Sequence, residues 1–278
     1  MAIRDILDSE CILFGGKGGV GKTTCAAATA IALLPKKTLL VSSDPAHSVG
    51  DCLGHEIGDE ITRVERAENL YALEISAEKT LDRFKQDYRR EMLRLLETSA
   101  GIEHLTRREM ENLLSLPVPG ADEVMGLKRL TDLMDAGDFE KYVLDMAPTG
   151  HALRLLSMPD IFHEWTNVFY DLRRKHRDYE KAFRRPDRAD EFLISLKTST
   201  DRLKNLLRAE KTKFVVVTAA ERLVIEETKD LVSQLKSFGI NVKHLIVNKL
   251  FPDLDSDFAR TRREQEQRLV PEIRSTFP

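Results

Sequence analysis

At 278 residues the chain has room for one large domain, or for a domain that carries a sizeable insertion. A hydrophobic content of 42% supports a real core, and a formal charge of −3 lacks the basic excess that nucleic-acid binding needs. No apolar run reaches the ~20 residues of a membrane span, no signal peptide opens the chain, and three unpaired cysteines fit a reducing, cytoplasmic setting.

Met1 to Glu10 is short and charged. The first apolar run, Cys11–Phe14, reads as a buried strand and leads into Gly15-Gly16-Lys17-Gly18-Gly19-Val20-Gly21-Lys22-Thr23-Thr24. From Gly16 onward this fits G-x-x-x-x-G-K-T, and the helical pattern Thr23–Leu34 follows it, as that motif requires. The glycines let backbone N–H groups turn inward around phosphates, and the helix N-terminus adds its positive end. Lys22 is expected to reach the β- and γ-phosphates of ATP, and the Thr23 hydroxyl to ligate Mg²⁺. Gly16, Lys17, Gly18, Gly19, Val20, Gly21 and Thr24 complete the expected nucleotide-binding set. Lys17 is a second lysine inside the loop, with no evident task in its own site.

Thr38–Ser42 is the next buried strand, followed by Asp44-Pro45-Ala46-His47-Ser48; Tyr71–Ile75 is another. From Ser76 to about Ser115 the spacing turns helical, with Leu81, Phe84, Tyr88, Met92, Leu95 and Leu96 at three- and four-residue steps. Tyr142–Leu144 is a strand that ends in Asp145-Met146-Ala147-Pro148-Thr149-Gly150-His151, where a nucleotidase carries its Walker B acid. A second helical block runs from about His151 to Arg208, apolar in its first third. Its basic stretch, Arg173 to Arg188, is broken by Asp178, Glu180 and Asp187 and reads as a solvated face. Phe214–Thr218 and His244–Val247 are the last strands, with the helix Glu221–Phe238 between them. Strand–helix alternation gives an α/β fold: a doubly wound, mainly parallel sheet with its ligands at the carboxyl ends of the strands. The chain is expected to be a single P-loop ATPase domain, 1–278, with a helical subdomain formed by about 76–136 and 151–210 on one side.

Lys17-Gly18-Gly19-Val20-Gly21-Lys22-Thr23 resembles the deviant phosphate loop of the MinD-like and nitrogenase-iron-protein-like ATPases. Together with the Asp44 and Asp145 segments, Pro119-Gly120-Ala121-Asp122-Glu123 and Leu153-Arg154-Leu155-Leu156, it is similar to the arsenite-pump and guided-entry (tail-anchored-protein targeting) ATPase family. That resemblance implies a homodimer in which Lys17 crosses to the partner's phosphates, as an arginine finger would. It implies that Asp44 orients the attacking water and that Asp145 supports the Mg²⁺ shell from behind. Asn248 would read the adenine edge; the acid of a guanine-reading N-K-x-D loop is missing, since Phe251 stands in its place. His47 and His151 lie in the two switch segments, as structural or functional residues alike.

The sequence departs from that family at Ser256 and Ala259, where many targeting members carry a Cys-x-x-Cys pair that shares one zinc across the dimer. Neither residue offers a thiolate, so no zinc site is expected, although the Arg-Arg-x-x-Gln helix that follows is recognisable in Arg262-Arg263-Glu264-Gln265. Relatives continue beyond this helix with a strand and a terminal helix, so Pro278 marks either a shortened form or a naturally short member. The leading expectation is a cytoplasmic ATPase that targets hydrophobic, tail-anchored client segments to a membrane receptor, without spanning the membrane itself. The alternatives are an arsenite- or metalloid-efflux ATPase subunit, a nucleotide-modulated holdase, and a positioning or cluster-assembly ATPase.

Overall fold

The computed structural model of the chain describes residues 2–43, 48–76, 79, 121–146, 198, 201–202, 205–252 and 256–277. In chain order the elements are α1 (Ala2–Asp8), β1 (Cys11–Gly15), α2 (Lys22–Ala32), β2 (Thr38–Ser42), α3 (Ser48–Leu53), β3 (Thr62–Arg63) and β4 (Leu70–Glu74). They continue with α4 (Ala121–Ala136), β5 (Lys141–Asp145), β6 (Thr212–Ala219), α5 (Arg222–Ser237), β7 (His244–Asn248) and α6 (Asp257–Thr276). The seven strands form one sheet in the order β3-β4-β2-β5-β1-β6-β7. Every pairing is parallel except that of β3 with β4. The expected doubly wound α/β sheet is therefore what the chain forms.

The inner strands are apolar through their middles because both faces are covered, and their polar residues stand mostly at the strand ends. Ile12, Leu13 and Phe14 of β1, Leu39 and Leu40 of β2, and Val215, Val216 and Val217 of β6 are all fully buried. Three alanines of α2, Ala26, Ala27 and Ala30, join Ile12, Phe14, Leu40, Val143 and Val215 in one core cluster. Small side chains there let α2 lie close on the sheet, and alanine also costs least in a helix.

Two helices escaped the sequence reading. The charged lead Met1 to Glu10 contains α1, which is fastened to the amino end of the sheet. The buried Lys141 ammonium donates to the carbonyls of Leu7, Asp8 and Ser9, at 2.9, 2.8 and 2.5 Å. It thereby closes the carbonyl end of α1, where a cation is favoured. His244 Nε2 lies 2.9 Å from Asp5 Oδ2 on the same helix. The second, α3, is one and a half turns long, too short to leave a periodic trace.

The chain divides into two compact units, Met1–Ser76 with Asp132–Leu153 and Leu206–Pro278, and Ala77–Thr131 with Arg154–Asn205. The first carries the sheet. The helical blocks expected at 76–136 and 151–210 lie mostly outside the described residues, apart from α4. Among the described residues no helix is long and apolar enough to cross a membrane.

The cysteines give a direct probe of this packing. Burial, with the Glu10 charge nearby, pushes the Cys11 thiol up to about 12, whereas Cys52 is exposed. A thiol with that pKa holds about a thousandfold less thiolate than an ordinary one. In folded protein Cys52 should react fast with a disulfide reagent, the half-buried Cys25 more slowly, and Cys11 only after denaturation. Labelling of Cys11 at the Cys52 rate, read by peptide mass mapping, would contradict the placement of β1 in the core.

Candidate functional site

The loop from Gly15 to Lys22 joins the inner strand β1 to α2, and crowding together with a positive φ dictates two of its glycines. Gly16 has φ 147°, and a Cβ there would lie 2.1 Å from the Val217 carbonyl oxygen. Gly21 has φ 93°, and its Cβ would lie 2.3 Å from Asn248 Nδ2. At Gly18 and Gly19 a Cβ would meet nothing within 4 Å, so that side of the loop is open. Gly21 is also the N-cap of α2 and brings no side-chain cap, which leaves the first amides of the helix to an outside acceptor. A phosphate is the acceptor such a cradle fits.

Lys22 is buried and turns back over the loop, its Nζ 3.4 Å from the Lys17 carbonyl oxygen. Thr23 Oγ1 donates to Asp145 Oδ2 at 2.5 Å. That contact exists because β5 is the neighbour of β1, with Phe14 in register with Asp145. Asp145 is fully buried, and its carbonyl accepts from Ser43 N at 3.1 Å, fastening the end of β2 to the end of β5. A hydroxyl and a carboxylate are hard oxygen donors, the chemistry that suits Mg²⁺. The Val20 side chain lies in the core, and Thr24 is exposed in the first turn of α2.

Asn248, expected to read adenine, donates its amide Nδ2 to the Val20 carbonyl at 2.9 Å. Its N–H side thus holds the phosphate loop itself. Lys17 leaves the loop and meets Glu227 of α5, Nζ to Oε1 at 2.7 Å. Asp44, His47 and His151 lie outside the described residues. Sequence reasoning missed Glu74, a buried acid at the end of β4 that accepts from Val49 N and Gly50 N, both at 2.9 Å, and so holds the first turn of α3. A carboxylate ending an apolar strand was the available signal.

On the far side of β7 the expected zinc-less positions have structural tasks. Ser256 is the N-cap of α6 and accepts from Ala259 N at 3.1 Å, while Ala259 is fully buried. The helix departs from Arg-Arg-x-x-Gln at its fifth position, which is Glu266. Buried there, Glu266 accepts from Phe251 N at 2.9 Å and ties α6 to the loop after Asn248. Arg262 reaches Glu221 at 2.7 Å. A cleft of about 520 Å³ between Ala220, Leu223, Arg262 and Leu269 includes none of the phosphate-loop residues. Among the described residues no group of three His, Cys, Asp or Glu side chains could hold a metal ion.

Comparison with known proteins agrees with this geometry. The anion-transporting ATPase family matches residues 9–278. The chain is 33% identical over 287 residues to ATPase GET3B of Arabidopsis thaliana, covering 94% of this chain and 70% of that protein. It is 30% identical over 291 residues to ATPase ASNA1 homolog 1 of Paramecium tetraurelia, covering 98% and 85%. To the putative arsenical pump-driving ATPase 2 of Aquifex aeolicus (strain VF5) it is 36% identical over 273 residues, covering 95% and 88%.

Replacing Asn248 by Ala removes the amide that holds Val20 and should weaken ATP binding roughly fivefold, the worth of one neutral hydrogen bond. Gly21→Ala should cost far more, and part of that loss should return in the Gly21→Ala/Asn248→Ala pair, because the collision is with a side chain. Gly16→Ala meets backbone and should show no such relief. Titration with a fluorescent nucleotide measures all four; unaltered affinity in Asn248→Ala would contradict the loop-holding role.

Proposed function

The chain belongs to the anion-transporting ATPase family and is an ATPase, and we propose that it works as a Mg²⁺-dependent homodimer that captures and releases hydrophobic, tail-anchored membrane-protein segments. The observation that carries the hydrolytic half is the Thr23–Asp145 hydrogen bond at the mouth of an uncapped helix. Phosphates of ATP sit in the amides of Gly16 to Gly21, and Lys22 offsets their charge. The Thr23 hydroxyl holds Mg²⁺, with Asp145 behind it. When bound, the ion supplies charge neutralisation on the phosphate oxygens. Asp44 follows directly on Ser43, whose N–H is fastened to Asp145, and its carboxylate orients the attacking water. Lys17 serves the partner subunit's phosphates, where a cation supplied in trans stabilises developing charge.

The client half rests on the sequence. Apolar positions recur at helical spacing from Leu81 to Leu96 and from Leu153 to Leu172, with Met92, Met110, Met125 and Met158 close by. Methionine adapts to clients of varied shape. Such a protein acts in the cytoplasm and hands its cargo to a membrane receptor. The metalloid alternative needs converging thiolates. Cys11 is buried, Cys25 half-buried and Cys52 exposed, on three separate elements, which weighs against it.

Two readouts test the reading together: ATP turnover with and without Mg²⁺, and retention of a fluorescent apolar helical peptide. Asp44→Asn should lose about a hundredfold or more in kcat, and should hold the peptide in ATP for as long as ATP remains. Peptide retention that is equal with and without nucleotide, in wild type and variant alike, would replace the targeting cycle with a passive holdase. Turnover stimulated by arsenite would restore the metalloid reading.

A further inference from the structure

Lys17 is the only member of the phosphate loop whose charge is directed away from the loop. Its ammonium lies 2.7 Å from the Glu227 carboxylate, and the side chains are 29% and 45% exposed. Glu227 sits in the second turn of α5, a helix whose other face is buried through Val224, Ile225, Thr228 and Leu235. The acid is therefore carried by a rigid element of the same subunit. Its neighbours on the helix are engaged elsewhere: Lys229 with Glu226 at 2.7 Å, and Arg222 with Glu272 at 3.0 Å. Glu227 turns to the loop. Gly16 and Gly18 flank Lys17, so the chain on either side of it carries no side chain to oppose a swing of the ammonium.

A cation in a phosphate loop has two anionic partners to choose between, a fixed carboxylate and an incoming polyphosphate. We propose that Glu227 is a positioning residue for ATP turnover: it holds Lys17 within its own subunit, and productive binding of MgATP requires the ammonium to leave it. The inference rests on the reading of Lys17 given above and adds the group that competes for it. The strength of the contact suits such a task. A half-exposed ion pair shifts an equilibrium by no more than roughly fivefold, enough to delay engagement of Lys17 and too little to prevent it.

Steady-state ATP hydrolysis by the full chain, over a range of MgATP concentrations, tests this in four variants. Glu227→Gln keeps the shape of the side chain and releases Lys17; the MgATP concentration at half-maximal rate should fall two- to fivefold, with no fall in kcat. Glu227→Asp should restore much of the wild-type value. Lys17→Ala should lower kcat at least tenfold, and Glu227→Gln added to it should bring no further shift in half-saturation. An equal shift in both backgrounds would overturn the proposal, because Glu227 would then act only through its charge on ATP. Half-saturation unchanged in Glu227→Gln, with Lys17→Ala impaired, would overturn it while leaving the role of Lys17 intact. Wild-type turnover in Lys17→Ala would remove the role of Lys17 itself. Circular dichroism of each variant separates these outcomes from a failure to fold.

Discussion

The hydrogen bond from Thr23 to the buried carboxylate of Asp145 joins the two halves of the site, and most of the architecture serves to make it possible. A fully buried carboxylate is costly unless donors meet it. Here a donor arrives from the first turn of α2, which can happen only if β1 and β5 are neighbours that end at the same level. The strand order places β5 between β2 and β1, and the register sets Ser42, Asp145 and Phe14 in one row. The same row continues to Glu74 on β4, which holds the start of α3. Two acids at one level of the sheet thus fasten α2, after the phosphate loop, and α3, after β2.

Fastening at the opposite end of the strands follows a different chemistry. There Lys141 closes the end of α1, and Lys213 and His244 both approach Asp5, at 3.4 and 2.9 Å. Those contacts are structural and lie at the amino ends of the strands. The carboxyl ends carry, besides the two buried acids and Lys22, backbone amides, an open glycine face and one cation directed out of the loop. Binding energy is therefore available where phosphate charge must be met, and stability is supplied where it is not needed for function.

How much of this could be read in the sequence depended on how local each signal was. Six strands were legible because covered strands are continuous apolar runs, and their ends were placed within two residues. β3 has two residues and pairs antiparallel at the edge, so it leaves no run to see. The loop motif pointed to Gly16 through the backbone geometry it needs, and to Lys22 and Thr23 through the charge and hydroxyl that phosphate chemistry calls for. Asn248 was legible as a strand-end amide, yet its contact with Val20 depends on β7 and the loop meeting in three dimensions. The same holds for Lys17 and Glu227, 210 positions apart, and for Glu266, which replaces the glutamine expected at its position.

The dimer with a lysine acting in trans is the central claim, and the mass of the particle in solution addresses it most directly. Light scattering of the purified chain should give one subunit's mass without nucleotide and twice that mass with Mg²⁺ADP and fluoroaluminate. The Lys17→Ala protein should remain at one subunit's mass under both conditions. A wild-type chain that stays at one subunit's mass with the transition-state mimic, or a Lys17→Ala protein that doubles as readily, would contradict the account.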